Sequence, residues 1–251
     1  MRLQNLNILG FSVSTRSVQE IVSESLNKRE LRVVNTINPH SYAESKRDPM
    51  FHKALTESTE LIPDGSGIVL VARKLHKAQV SKISGSDLFF ETMRQLNEKS
   101  GSVFFLGSTN DVLEKISKHS ASEFPNVKVH TLSPPYKAEF SNDDKHAFVD
   151  AINKSQSDVI FVGLTAPKQE KLIEAIKTEI SGSMISGIGA VFDFYAGTVK
   201  RPSKIWLDLH LEWLVRLIGE PKRLWQRTFV SAPIFLCDMY RQKYLGFKNE
   251  K

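Results

Sequence analysis

Between residues 101 and 190 the sequence repeats one alternation that few architectures accommodate: short β-branched and aromatic runs, each followed by a longer segment of helical periodicity. "GSVFFLGS", "NVKVHTL", "DVIFVGL" and "GSMISGIGA" read as strands, with "NDVLEKISKHSASEF", "DDKHAFVDAINKS" and "PKQEKLIEAIKTEI" as the helices between them. Strand, crossover helix and strand form the unit of a parallel sheet covered on both faces. Upstream, "LRVVNTIN" adds a strand and "GSDLFFETMRQLNEKS" a helix. The expected fold is α/β: a Rossmann-like, mostly parallel sheet flanked by helices, with right-handed crossovers.

In such a sheet ligands bind outside the carboxyl ends of the strands. The loops that matter therefore begin at Asn35-Thr36-Ile37-Asn38, Asp64-Gly65, Gly107-Ser108, Pro134-Pro135-Tyr136, Gly163-Leu164-Thr165 and Gly187-Ile188-Gly189. In "ELIPDGSGIVLVARKL" an apolar run breaks at Pro63-Asp64-Gly65 and then resumes. Asp64 there can be a turn former, the start of a nucleotide loop, or a chemical group at the mouth of a site. "DGSGIVL" and "GIGAVF" each hold a Gly-x-Gly but lack the third glycine and the acid of a dinucleotide fingerprint. They argue only weakly for NAD or FAD, although glycine at a strand end does let backbone N–H groups approach a phosphate. In "GLTAPKQEKLI", Pro167 near the first helical position and an acid, Glu170, at the positive end of the helix are locally explained. The uncharged Gln169 between sheet and helix is not.

Charge divides the chain. Residues 1–196 hold 23 basic and 23 acidic side chains, and residues 197–251 hold 11 against 5, so the net +6 belongs to the last 55 residues. Trp206, Trp213 and Trp225 lie there too. The expected organisation is a neutral core, 1–196, followed by a basic, Trp-rich helical appendage, 197–251. Trp206, Leu209, Trp213 and Leu217 recur at helical spacing until Gly219 and Pro221, after which a second helix can start.

A lone cysteine, Cys237, excludes an internal disulfide and fits a reducing cytoplasm. The seven histidines form no metal-ligand spacing and the chain has no Asp-x-Asp, so neither a metal nor another cofactor is expected. The N-terminal run is too short for a signal peptide, and nowhere do 18 apolar residues run together. On the residues alone no motif establishes a reaction: a site for a nucleotide of some kind stays open, as do a dinucleotide oxidoreductase and a nucleic-acid-binding module using the basic tail.

Taken in order, "NTINPHSYAESKRDPMFHKALTESTELIPDGSGIVLVARKL", "GSDLFFETM", "VFFLGS", "VGLTAPKQEKLI", "GIGAVFDFYAGTVKRPSK" and "LEWLVRLIGEPKRLWQR" resemble the blocks of the WecG/TagA/CpsF glycosyltransferase family, over about residues 31 to 230. The resemblance implies an inverting, metal-independent transfer of a sugar, such as an N-acetylmannosamine-type hexose, from a UDP-sugar to a polyprenyl-pyrophosphate-linked saccharide. It implies work in cell-surface polymer synthesis, at an anionic membrane surface on the cytoplasmic face, with no nucleic-acid partner. By position, Asp64 matches the catalytic base and Thr36 and Asn38 match polar residues beside it. Lys82 stands where an arginine is frequent, and Gln169 matches a substrate-site residue. Gly107, Tyr136, Gly189 and Asp193 fall in loops bordering UDP. Arg216, Arg223 and Arg227 match appendage arginines that reach the diphosphate. Thr165, His210 and the order Arg-Pro-Ser-Lys depart from the family pattern.

Overall fold

The computed structural model describes residues 4–28, 30–199 and 225–245. The chain opens with an antiparallel hairpin, β1 (Asn5–Ile8) and β2 (Phe11–Ser14). Leu9 and Gly10 at its tip both have positive φ, as a two-residue turn matched to strand twist requires. Helix α1 (Val18–Asn27) starts with a capping box between Ser17 and Glu20. Then follow β3 (Arg32–Ile37), α2 (Pro39–Ser45), α3 (Pro49–Thr56), β4 (Glu60–Pro63), α4 (Ser66–His76) and α5 (Gly85–Lys99). The region from 101 to 190 is β5 (Ser102–Gly107), α6 (Asn110–Glu123), β6 (Lys128–Leu132), α7 (Asn142–Ser155), β7 (Val159–Gly163), α8 (Lys168–Ile176) and β8 (Met184–Gly187), the alternation that the sequence implies. A short α9 (Val191–Tyr195) comes next. From Trp225 the described chain is helical again, through a π segment at Arg227–Ser231 into α10 (Ala232–Leu245).

The six main strands form one sheet in the order β4-β3-β8-β7-β5-β6, every pairing parallel. The inner strands β5 and β7 read as unbroken apolar runs because both their faces are buried. Val103, Phe105, Val159, Phe161 and Met184 pack on one face with residues of α1, α5, α6 and α9. Phe104, Leu106, Ile160, Val162 and Ile185 pack on the other with residues of α7 and α8. A third cluster joins the hairpin and α2 to α4 with Phe235 of α10. The helix expected over 167–180 is shorter than its periodicity suggests, because Pro167 takes the N-cap and the chain turns after Lys177, still burying Ile180.

The two ends of the sheet are built differently. At the amino end, Glu60 accepts from Arg16 and Arg32, both at 2.8 Å, and Glu24 bonds Arg16, Arg32 and Lys28. Lys28, then the two arginines, hold the Glu24 carboxyl down to about 2. At the carboxyl end, the neighbours β5 and β7 send the chain over opposite faces, into α6 and α8, which opens a crevice between them. Gly107 and Gly163 pair across its floor. A Cβ on Gly107, whose φ is +141°, would lie 2.5 Å from the Gly163 carbonyl oxygen, and one on Gly163 would lie 2.3 Å from the Phe192 ring.

Candidate active site

Strands β3 and β4 end level with each other, Ile37 opposite Pro63. The Asp64 N–H donates to the Ile37 carbonyl at 2.9 Å, carrying the pairing one residue further and holding half-buried Asp64 at the carboxyl edge. Gly65, at φ +94°, turns the chain into α4 and occupies its N-cap, so Asp64 is not the capping residue. The chain then returns to the same edge: the Ile83 N–H donates to the Pro63 carbonyl at 2.9 Å and brings exposed Lys82 beside the Pro63-Asp64 corner. Thr36, half-buried, lies opposite Ile62. Asn38 is the N-cap of α2, where its Oδ1 accepts from the N–H groups of His40 and Ser41, both at 3.0 Å. That oxygen is committed to the helix.

Across β3 and β8, the start of α8 builds the opposing wall. Gln169 is buried; its Nε2 donates to Glu170 Oε1 at 2.9 Å and its Oε1 accepts the Gly189 N–H at 3.0 Å. A Cβ on Gly187 would fall 2.7 Å from Gln169 Cδ, and one on Gly67 would fall 2.5 Å from Pro39 Cγ. Both Gly-x-Gly stretches therefore contain a glycine whose lack of a side chain makes room for a neighbouring one, which accounts for the glycine without a dinucleotide.

Glu170 is not the solvated helix-end acid that its local sequence suggests. It is 3% exposed, and its Oε2 has no hydrogen-bond partner. Burial pushes the carboxyl up, opposed by the Gln169 amide, its own backbone N–H and the charge of Arg227. A signal for this was present: Gln169 and Glu170 precede Leu172, Ile173 and Ile176 at helical spacing and share their buried face.

The charge of Arg227 acts on this edge from a helix that is anchored to the body. Arg227, Ser231, Phe235 and Asp238 recur at intervals of four, four and three along one helical face. Ser231 Oγ lies 2.9 Å from His40 Nδ1, Phe235 is 1% exposed and meets the Tyr42 ring edge-on at 5.5 Å, and the Tyr42 hydroxyl donates to Asp238 at 2.9 Å. Lys46 also pairs with Asp238. Burial first, then Arg227, hold the His40 pKa down to about 4. One guanidinium thus acts on groups in the first turns of both α2 and α8.

The other expected residues are spread along the rim. Gly107 is in the crevice floor and Asp193 is half-buried in α9, its carbonyl accepting the Thr198 N–H at 3.0 Å. Tyr136 is fully exposed in the loop after the edge strand β6. That loop is tied to α8 by Lys168, whose amine bonds the Lys137 carbonyl, stands 3.9 Å over the Phe140 ring, and is pushed down in pKa by burial. Arg216 and Arg223, with Trp206, Trp213 and His210, lie outside the described residues. Among the described residues no group of three or more His, Cys, Asp or Glu side chains could hold a metal ion, and no helix is long and apolar enough to cross a membrane.

A parallel sheet with a carboxylate, a lysine and a buried amide network at its carboxyl edge, and an anchored helical arginine beside them, defines a Rossmann-like α/β enzyme. Residues 6–249 match the Glycosyl transferase WecG/TagA/CpsF family, and the chain belongs to it. It is similar to the N-acetylglucosaminyldiphosphoundecaprenol N-acetyl-beta-D-mannosaminyltransferase of Bacillus spizizenii (strain ATCC 23059 / NRRL B-14472 / W23), 29% identical over 99% of this chain and 95% of the relative. A protein of the same name from Bacillus subtilis (strain 168) is 31% identical over 87% of this chain and 81% of its own length. The protein is a glycosyltransferase, and the oxidoreductase alternative falls away.

Proposed function

We propose that this glycosyltransferase moves an N-acetylmannosamine-type sugar from a UDP-sugar to a saccharide carried on polyprenyl pyrophosphate, with inversion. The names of both relatives specify such an acceptor and such a sugar, which supports the reading. The observation that carries it is Asp64, half-buried at the carboxyl edge of the sheet, the edge at which the crevice floored by Gly107 and Gly163 also opens. In the proposed step the Asp64 carboxylate takes the proton of the acceptor hydroxyl as its oxygen attacks the anomeric carbon. The bond from that carbon to the diphosphate breaks, and UDP leaves with the electron pair. Arginines offset the charge that accumulates on the diphosphate; Arg227 is one, and Arg216 and Arg223 are assigned the same role. Gly107, Gly189, Asp193 and Tyr136 border the nucleotide, and Thr36, Asn38, Lys82 and Gln169 border the sugars.

The acceptor's lipid implies a membrane surface. Trp225, Phe229, Leu236, Tyr240 and Tyr244 are all exposed on the last helix, on a segment rich in basic residues, which suits peripheral binding to anionic lipid. The test is a panel of UDP-sugars with a short-chain polyprenyl-linked acceptor, reading UDP release with and without chelator. Turnover with UDP-N-acetylmannosamine that survives EDTA is expected. Restoration by Mn²⁺ or Mg²⁺ after loss in EDTA would overturn the metal-free step.

A further inference from the structure

We propose that Lys168 is a positioning residue that pins the loop after β6, and with it Tyr136, to the first turn of α8, and so sets the affinity for the nucleotide that this loop borders. The inference deepens the function proposed above and rests on its placement of UDP beside Tyr136.

The loop has little packing of its own. Residues 135–139 are all exposed, Tyr136 fully so. A segment of that kind keeps one conformation only where bonds from elsewhere order it, since backbone entropy favours many. Side-chain ties order this one. At its root the Ser133 hydroxyl donates to the Ser108 carbonyl at 2.8 Å, next to Gly107 in the crevice floor. At its far end the Phe140 ring meets Phe148 of α7 edge-on at 5.0 Å. In between stands Lys168, whose amine bonds the Lys137 carbonyl and lies 3.9 Å over the Phe140 ring. One side chain thus grips the loop at two points, by a charge-assisted hydrogen bond and by a cation–π contact. The grip extends to α7, because the Lys137 amine meets both Asp144 carboxylate oxygens, at 2.9 and 2.8 Å. Between the ties at Ser133 and Lys137 lie only Pro134, Pro135 and Tyr136, and the prolines fix two of the three φ angles. Tyr136 is therefore an exposed aromatic on a stiffened segment at the carboxyl edge, held ready for a ligand instead of waving as a loop tip. Lys168 is itself fixed: it opens α8 beside buried Gln169, and its N–H donates to the Thr165 carbonyl at 2.9 Å.

The experiment compares the full-length wild type with Lys168→Met, which keeps the stem and removes the charge and its N–H donors, and with Lys168→Arg, which keeps both. Limited chymotrypsin digestion read by mass spectrometry should cut after Tyr136 about tenfold faster in Lys168→Met, because proteolysis of a folded chain follows the population of its locally opened form. UDP affinity by calorimetry should fall about tenfold, the scale of ordering one residue on binding. In the transfer assay KM for the UDP-sugar should rise by a similar factor with kcat within about twofold, since ground state and transition state lose the same binding. Lys168→Arg should stay within about threefold of wild type in each measurement, because a guanidinium offers the same two kinds of contact. In a Tyr136→Ala background Lys168→Met should change UDP affinity by less than about threefold, whereas an amine that itself met the diphosphate would be missed equally in both backgrounds. An equal loss in both backgrounds, an arginine variant as weak as the methionine one, or unchanged cleavage after Tyr136 would overturn the pin. The digestion needs no nucleotide, so faster cleavage with UDP affinity unchanged would overturn instead the placement of UDP at this loop.

Discussion

The two ends of this sheet handle buried charge in opposite ways. At the amino end, Glu60, Arg32, Arg16 and Glu24 close on one another, with each arginine meeting both carboxylates. At the carboxyl end Glu170 keeps an unpartnered oxygen, His40 is held neutral, and Lys168 is depressed in pKa by burial. The first arrangement serves the fold: each carboxylate meets both arginines, so the charges offset one another although Glu60 Oε2 and Arg32 Nε have no hydrogen-bond partner of their own. The second lies at the edge where the proposed site is, and there burial rather than charge pairing governs Glu170, His40 and Lys168. Strain of this kind is tolerated where it is used, and the rest of the molecule supplies the stability.

The contrast can be tested by substitution at each end. The largest effect is expected at Asp64. Asp64→Asn keeps the shape of the corner and the N–H bond to Ile37, so the urea midpoint should hold while transfer falls about 10²–10⁴-fold, the usual contribution of a general base. Near-normal turnover would make Asp64 a turn residue only. Next is Glu60→Gln at the amino end, which leaves two largely buried guanidiniums facing a neutral amide and should destabilise the fold by about 3–5 kcal/mol. Activity per folded molecule should not change. A loss of turnover at full folding would blur the distinction between the two ends.

A smaller effect is expected at the crevice floor. Gly107→Ala brings a methyl against the Gly163 carbonyl and forces a left-handed φ on a side chain, so about 1–3 kcal/mol of stability should be lost together with UDP affinity. Unchanged UDP binding by calorimetry would move the nucleotide away from this glycine. The smallest is a pH effect at His40. Its folded pKa, about 4, lies below the ordinary 6.5, so the unfolded chain takes up the proton first as pH falls. Its contribution is therefore complete above 6.5 and is lost as pH drops toward 4. The urea midpoint of wild type should fall more across this interval than that of His40→Gln, whose amide retains a partner for Ser231 without titrating. Parallel curves would remove His40 from the helix anchor.

Much of the α/β body was legible before any coordinates, because a parallel strand buried on both faces leaves an unmistakable apolar run and its crossover helix a period of 3.6. Val103 to Leu106 and Val159 to Val162 are the clearest cases. The N-terminal hairpin was not legible: its turn places Leu9, a residue seldom found at positive φ, beside Gly10, so the usual Asn-Gly signal is missing. Asp64 was legible as a candidate from the rule that ligands meet the carboxyl ends of strands, and the role proposed for it came from family resemblance. Glu170 was misread from local sequence, because an acid in the first turn of a helix already has a sufficient local explanation.

What the sequence by itself determined is therefore what depends on neighbours along the chain: element type, the run of crossovers, the positions of loops at the carboxyl edge. Tertiary structure alone decided which of those loops meet. Strand order β4-β3-β8-β7-β5-β6 sets the Asp64 corner and the Gln169-Glu170 turn on either side of β3 and β8, although 105 positions separate Asp64 from Gln169. It also decided that the helix carrying Arg227 docks on α2, through bonds from His40 to Ser231 and from Tyr42 to Asp238 that span 191 and 196 positions. Periodicity and propensity act over a few residues, whereas the docking of the last helix on α2 depends on the burial of Phe235 against Tyr42, 193 positions away in the chain.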